Sequence, residues 1–259
     1  MRMLKIWRSG LMVLLVLFGC SGAVISAQTP DAGLRQEIEE LKQGQAGIRQ
    51  ELQEIKSLLE KLTTPQRPAG PVVKDVEFET GDNPVKGNAA AKLILVEFTD
   101  YQCLFCGRFV KETLPQIRDQ YIDRNLIRHV VIDQPLAMHP NAPKAAEMSH
   151  CAEEQGKFWE IHDLMMASQD SLTDLSFYAT ALKLDLPEFE KCVNEDRYAG
   201  KVRQDMELAQ TLGINGVPGF VIGIVESENP VKIKGVSAIQ GAMPFANFKK
   251  ELDAALAKQ

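Results

Sequence analysis

Residues 96–109 read Val96-Glu97-Phe98-Thr99-Asp100-Tyr101-Gln102-Cys103-Leu104-Phe105-Cys106-Gly107-Arg108-Phe109. The segment passes from a β-rich run, Leu93–Thr99, into a helix predicted from Phe105 to about Tyr121, with a Cys-x-x-Cys pair at the junction. Such a pair can bind zinc, form a structural disulfide or exchange disulfides. Zinc usually needs a second pair of ligands at similar spacing. His139, His150 and Cys151 do not supply one, so neither a metal nor a cofactor is expected. Position favours exchange: at a helix start the unpaired N–H groups and the helix dipole stabilise a thiolate on the first cysteine. Cys103 is therefore the expected attacking and leaving sulfur. Cys106, one turn into the helix, is the expected shielded thiol that resolves a mixed disulfide.

Outward from this junction, Val72–Phe78 reads as a first strand and Leu126–Asp133 as the strand after the helix. Residues 141–212 read as almost all helix, with Gly213 as a C-cap. Phe220–Val225 and Val231–Gly235 resemble a hairpin, and Phe245–Ala257 a closing helix. Phe158, Trp159, Phe177 and Phe189 fall in apolar helical patterns and are expected in the core, while His129, His139, His150 and His162 show no partner motif. The order of elements predicts an α/β domain over 72–259: a thioredoxin-like mixed sheet with a helical insertion at about 141–212.

Three stretches in this order carry a family resemblance. The active-site segment 96–109, the run His139-Pro-Asn-Ala-Pro-Lys-Ala-Ala-Glu147 followed by Cys151-Ala-Glu-Glu-Gln-Gly-Lys-Phe-Trp159, and Leu212-Gly-Ile-Asn-Gly-Val-Pro-Gly-Phe220 resemble DsbA-like thioredoxin-fold proteins. The resemblance spans roughly Val72 to the C-terminus and implies a bacterial, exported disulfide oxidoreductase. It further implies that Pro218 is a cis-proline facing the two cysteines, although Val-Pro-Gly alone reads equally as a type II turn. It implies that the Val217 backbone pairs with an extended substrate, and that Glu97 is a buried carboxylate handling the proton of Cys106. Glu97 alternates with Leu93, Leu95 and Thr99 on one strand face, as burial requires. Two departures stand out. The family often carries a larger residue than Gly219 after the proline. Strongly oxidising members have Pro-His between the cysteines where this chain has Leu104-Phe105, so thiolate stabilisation falls more on the helix N-terminus.

Cys151 and Cys192 lie in the helical region. In an oxidising compartment two unpaired thiols are a liability, so a structural disulfide is expected between them. Closing that loop contributes about 3–4 kcal/mol in the chain-entropy picture.

The N-terminal part supplies the compartment. Arg2, Lys5 and Arg8 precede the apolar run Leu11–Phe18, the pattern of an export signal over 1–27. Leu17-Phe18-Gly19-Cys20 resembles a lipobox, which would lipidate Cys20, and Ile25-Ser26-Ala27 offers a second cleavage point. Both place the rest of the chain in the periplasm, with or without a lipid anchor. A helix is then expected over 31–62. Leu34, Ile38, Leu41, Ile48, Leu52, Ile55, Leu59 and Leu62 keep alternating spacings of four and three, broken only by Gln45. With Ile38 at a and Leu41 at d, parallel pairing of two copies sets Glu37 against Lys42 and Glu51 against Lys56. A coiled-coil helix forming a parallel homo-oligomer through 34–62 is expected, with Gly44 and Gly47 weakening its middle. Residues 63–71 hold three prolines and read as a linker.

The 259-residue chain carries a net charge of −6. The basic residues of 1–19 add to that total, so the remainder is more acidic still and a poor nucleic-acid binder. The expected partners are exported thiol- or disulfide-containing proteins and a membrane redox partner. Four functions remain in view: an oligomeric isomerase or reductase, a thiol oxidase, an anchored interaction scaffold, and a Cu(I) metallochaperone using Cys103 and Cys106.

Overall fold

The computed structural model describes residues 30–63, 71, 73–228 and 231–258. The export signal, Cys20 and nearly all of the linker lie outside the described residues. The chain divides into two units, Met1–Pro65 and Gln66–Gln259. The first contains one long helix, α1 (Pro30–Thr63). Its apolar row is solvent-facing: Leu34, Ile38, Leu41, Ile48, Leu52 and Ile55 are all between 42% and 72% exposed.

The second unit is built on a six-stranded sheet of order β1-β6-β5-β3-β4-β2. The strands are β1 (Glu77–Glu79), β2 (Val85–Gly87), β3 (Leu93–Thr99), β4 (Ile127–Asp133), β5 (Gly219–Glu228) and β6 (Val231–Gln240). Only β3 and β4 run parallel; every other pairing is antiparallel. Central β3 is buried along its whole length. Its alternate residues feed two cores, Leu93 and Leu95 packing with Phe109, Phe220 and Phe248, and Ile94, Val96 and Phe98 with Val130, Ile214 and Val221.

Three local differences from the sequence expectation have clear causes. The first strand is short because the chain turns at Lys74–Asp75, where Asp75 has φ +62°. Asp75 N–H donates to Gly235 O and Gly235 N–H to Val76 O, both at 2.9 Å, and a side chain at Gly235 would collide with the Val73 carbonyl. Strand β2 escaped notice because three residues give too little periodicity. The helix after the cysteines is divided into α2 (Leu104–Glu112) and α3 (Leu114–Ile117), followed by a π-turn at Arg118–Ile122. Pro115 has no N–H to return to the Lys111 carbonyl, and Thr113 Oγ1 donates instead to Met243 O at 3.1 Å.

The insertion comprises α4 (Ala142–Glu153), α5 (Phe158–Ala167), α6 (Leu175–Leu182), α7 (Leu186–Asn194) and α8 (Ala199–Thr211). Cys151 of α4 and Cys192 of α7 are joined by a disulfide with Cα atoms 5.8 Å apart. Phe158 and Phe189 are buried, Trp159 is half-buried, and Phe177 is a correction at 37% exposed. Helix α6 packs on α7 through Tyr178 and Ala179, which leaves Phe177 on its outer side. Helix α9 (Phe245–Leu256) closes the sheet, with Tyr121 Oη donating to Asp253 Oδ1 at 2.6 Å.

Candidate active site

Cys103 is the N-cap of α2, in extended conformation, and Cys106 lies one turn inside. Both are reduced in this structure, at 4% and 0% exposure, in one apolar cluster with Tyr101, Cys151 and Cys192. The helix start gives the two sulfurs opposite acidities. Cys103 is lowered to about 6, first by a hydrogen bond from the Cys106 thiol, then by the N–H groups of Cys106 and Phe105. Burial and the Asp100 carboxylate oppose that fall. Cys106 is pushed far up by burial, then by the neighbouring Cys103 thiolate. One sulfur is thus poised as an anion and its partner held as a thiol.

The Val217–Pro218 peptide bond is cis, and the Cys103 thiol faces the Val217 carbonyl with Sγ–O 3.7 Å. Leu104 and Phe105, 77% and 57% exposed, form an apolar rim beside the sulfur. Gly219, which begins β5, leaves no room for a side chain: a Cβ there would lie 2.6 Å from Ile214 Cγ2. The small residue after the proline is therefore dictated by Ile214 beneath the cis-proline turn. Glu97 is fully buried, but its hydrogen bond runs to His129, with Oε2–Nε2 2.9 Å, and its Oε1 has no hydrogen-bond partner among the described residues. No hydrogen bond among the described residues joins Glu97 to Cys106. Thr99, two residues on and on the same strand face, has a buried hydroxyl without a hydrogen-bond partner among the described residues.

The loop carrying Cys103 is pinned by residues that the sequence did not single out. Gln169 Nε2 donates to Tyr101 O at 2.8 Å and Cys103 O at 2.9 Å. Buried Asp100 accepts from Gln102 N–H through Oδ1, and through Oδ2 from Leu136 N–H and His139 Nδ1. Gln102 Oε1 in turn accepts from Asn141 N–H at 2.8 Å. The four histidines without a sequence motif all face carboxylates: His129 to Glu97, His139 to Asp100, His150 to Asp133 and Glu153, and His162 to Asp163. The family resemblance points at the 139–147 segment but not at these pairings, three of which join distant parts of the chain where spacing carries no signal.

A family model described as Thioredoxin matches residues 79–240. Among curated proteins, the chain is 36% identical over 171 residues to the Na(+)/H(+) antiporter NhaA 3 of Salinispora tropica, and 34% over 157 residues to NhaA 1 of Salinispora arenicola. These matches cover 64% and 60% of this chain, which spans about a quarter of the length of those curated relatives (26% and 24%). Among the described residues, no helix is long and apolar enough to cross a membrane. Among solved structures, α-DsbA1 of Wolbachia pipientis is 25% identical with TM-score 0.58, covering 68% of this chain and 92% of its own. A thioredoxin-like oxidoreductase of Silicibacter pomeroyi is 26% identical with TM-score 0.54, covering 67% and 91%. BdbD of Bacillus subtilis, at 19% identity and TM-score 0.58 over 71% and 99%, shares the fold.

Proposed function

The chain belongs to the thioredoxin family, and from that premise we propose that it is a thiol–disulfide oxidoreductase acting on exported proteins. The observation that carries this is the pairing of a low-pKa Cys103 with a buried Cys106 opposite the cis Val217–Pro218 bond. The Cys103 thiolate attacks one sulfur of a substrate disulfide, forming a mixed disulfide and expelling the other sulfur as a thiolate, which takes a proton from solvent. Cys106 then loses its proton and attacks Cys103 Sγ; the Cys103–Cys106 disulfide forms and the substrate leaves reduced. Two electrons pass to the substrate, and the reverse sequence oxidises a dithiol. Glu97, on the strand face it shares with Thr99, takes the Cys106 proton. The Val217 backbone, beside the Cys103 sulfur, aligns the substrate as an added strand.

The fuller reading is an oligomeric isomerase or reductase rather than a lone oxidase. The exposed apolar row of α1 supports pairing with further copies of this chain, arranged parallel so that Glu37 meets Lys42 and Glu51 meets Lys56. Several sites held together meet one misbridged substrate at high effective concentration. Residues 1–27 direct export to the periplasm, and Cys20 is the candidate lipid attachment point. A membrane redox partner resets the cysteines. The antiporter activity named for the curated relatives belongs to proteins of which this chain spans about a quarter, and it is not carried over.

The deciding experiment measures the reduction potential of the Cys103–Cys106 couple together with refolding of a scrambled-disulfide substrate, with and without residues 28–71. Reshuffling that needs the N-terminal segment is expected. A strongly oxidising potential with no reshuffling overturns the isomerase reading. Absence of any exchange by the wild-type protein overturns the oxidoreductase reading itself.

A further inference from the structure

Away from the thiols, three buried side chains from separate elements converge. Asp133 ends β4, His150 lies in α4 and Asp205 in α8, and one ligand atom from each lies within 4.8 Å of the others. All three are at most 4% exposed. Asp205 is held by Asn83 Nδ2, which donates to its Oδ1 at 2.7 Å, and by the Asp133 N–H, which reaches its Oδ2 at 3.2 Å. His150 Nδ1 lies 3.1 Å from Glu153 Oε2, which turns Nε2 inward to within 2.8 Å of Asp133 Oδ2. The other Asp133 oxygen, Oδ1, is buried without a hydrogen-bond partner, and so is Asn83 Oδ1.

Two carboxylates this close and this dry repel each other. Lys201, whose charge acts on Asp205, is itself engaged by Asp82 at 2.7 Å. A buried carboxylate oxygen without a partner costs free energy unless a cation or donor meets it. We propose that Asp133, His150 and Asp205 bind a divalent first-row transition ion, with Zn2+ the best fit, and that Glu153 is the outer carboxylate orienting His150.

One imidazole nitrogen with two carboxylate oxygens suits zinc better than calcium or magnesium, which take all-oxygen shells. A histidine whose second nitrogen faces a carboxylate is the usual support of such a site. The ion would tie the end of β4 to α4 and α8. His150 precedes Cys151, so the ion and the Cys151–Cys192 disulfide would together fix the insertion against the sheet. This site is independent of Cys103 and Cys106 and of the exchange reaction proposed for them.

The test uses the full chain with Cys103–Cys106 oxidised, so that no thiolate competes, after stripping with EDTA. Addition of Co2+ is expected to give visible d–d absorption without a thiolate charge-transfer band, at one ion per chain. Zn2+ is expected to displace it and to raise the thermal midpoint. Asp205→Asn should abolish both signals. Glu153→Gln, outside the ligand set, should weaken binding about 10–100-fold and keeps the test decisive if Asp205→Asn fails to fold. No change in spectrum or midpoint at about 1 mM Co2+ and Zn2+, where even weak specific binding registers, overturns the proposal. So does binding that survives Asp205→Asn, or an affinity unmoved by Glu153→Gln.

Discussion

Two cysteine pairs share one buried cluster and meet opposite fates. Cys151 and Cys192 come from two helices, 41 residues apart, and are bonded to each other. Cys103 and Cys106 are one helical turn apart and stand as thiols. Burial does not separate them, because Cys106 and Cys192 are equally inaccessible. What differs is the company of the sulfurs. Cys103 sits at a helix N-terminus, where backbone N–H groups reward an anion, opposite the cis-proline turn. Cys151 lies within α4 and Cys192 within α7, packed among Phe189, Tyr178 and Val193. The first pair has a sulfur stabilised as an anion by a helix start, and neither sulfur of the second pair has that position.

Breaking the first pair has the largest effect. Cys103→Ser should abolish exchange with a protein disulfide, by at least about a thousandfold, because no second thiolate is available. Cys106→Ser should keep the attack and accumulate a mixed disulfide, seen by mass spectrometry as a covalent adduct. The pH profile sharpens the point. With its pKa near 6, Cys103 remains a thiolate above that pH and loses the charge as pH falls through it. Alkylation by iodoacetamide should therefore rise to about pH 6 and flatten above. A profile still climbing at pH 8 would refute the assignment.

Breaking the second pair acts on stability. Cys151→Ala with Cys192→Ala should lower unfolding free energy by about 3–4 kcal/mol, read by denaturant titration, while exchange at 25 °C continues. If exchange were lost and stability kept, the staple would instead be a second redox pair.

The contrast was only partly legible in the sequence. The β3-to-α2 junction was readable because its information is local: an apolar run, a cysteine at a helix start, a second cysteine one turn on. The pairing of Cys151 with Cys192 followed from compartment and number alone. The carboxylate partners of the histidines were hidden, because His129–Glu97, His139–Asp100 and His150–Asp133 bridge 32, 39 and 17 residues and no periodicity marks them. Glu97 shows the same limit. Alternation along β3 predicted its burial, while its contact with His129 depends on the parallel register that sets Leu95 opposite His129.

Glu97→Gln is the next test. In the proposed reaction Glu97 accepts the Cys106 proton, so its removal should slow resolution about tenfold, below the usual acid–base effect because the contact is not direct. Stopped-flow release of a mixed disulfide reads this. An unchanged resolution rate with a lower melting temperature would leave Glu97 as a structural partner of His129 only.

The smallest expected effect separates geometry from acidity. Gln169 touches neither sulfur; its amide nitrogen holds the carbonyls of Tyr101 and Cys103. Its oxygen lies against Gly107, where a Cβ would come within 2.8 Å. Gln169→Ala removes two hydrogen bonds worth about 1 kcal/mol each and releases the loop without altering the N–H groups that face Cys103 Sγ. The Cys103 alkylation profile should keep its midpoint near pH 6, while exchange with a protein substrate slows about three- to tenfold, since modest displacement of a reacting atom is costly. A midpoint that moved with the rate would mean that Gln169 sets the helix-terminal field itself. The two cysteine pairs would then differ less by local backbone than by the side chains that brace it.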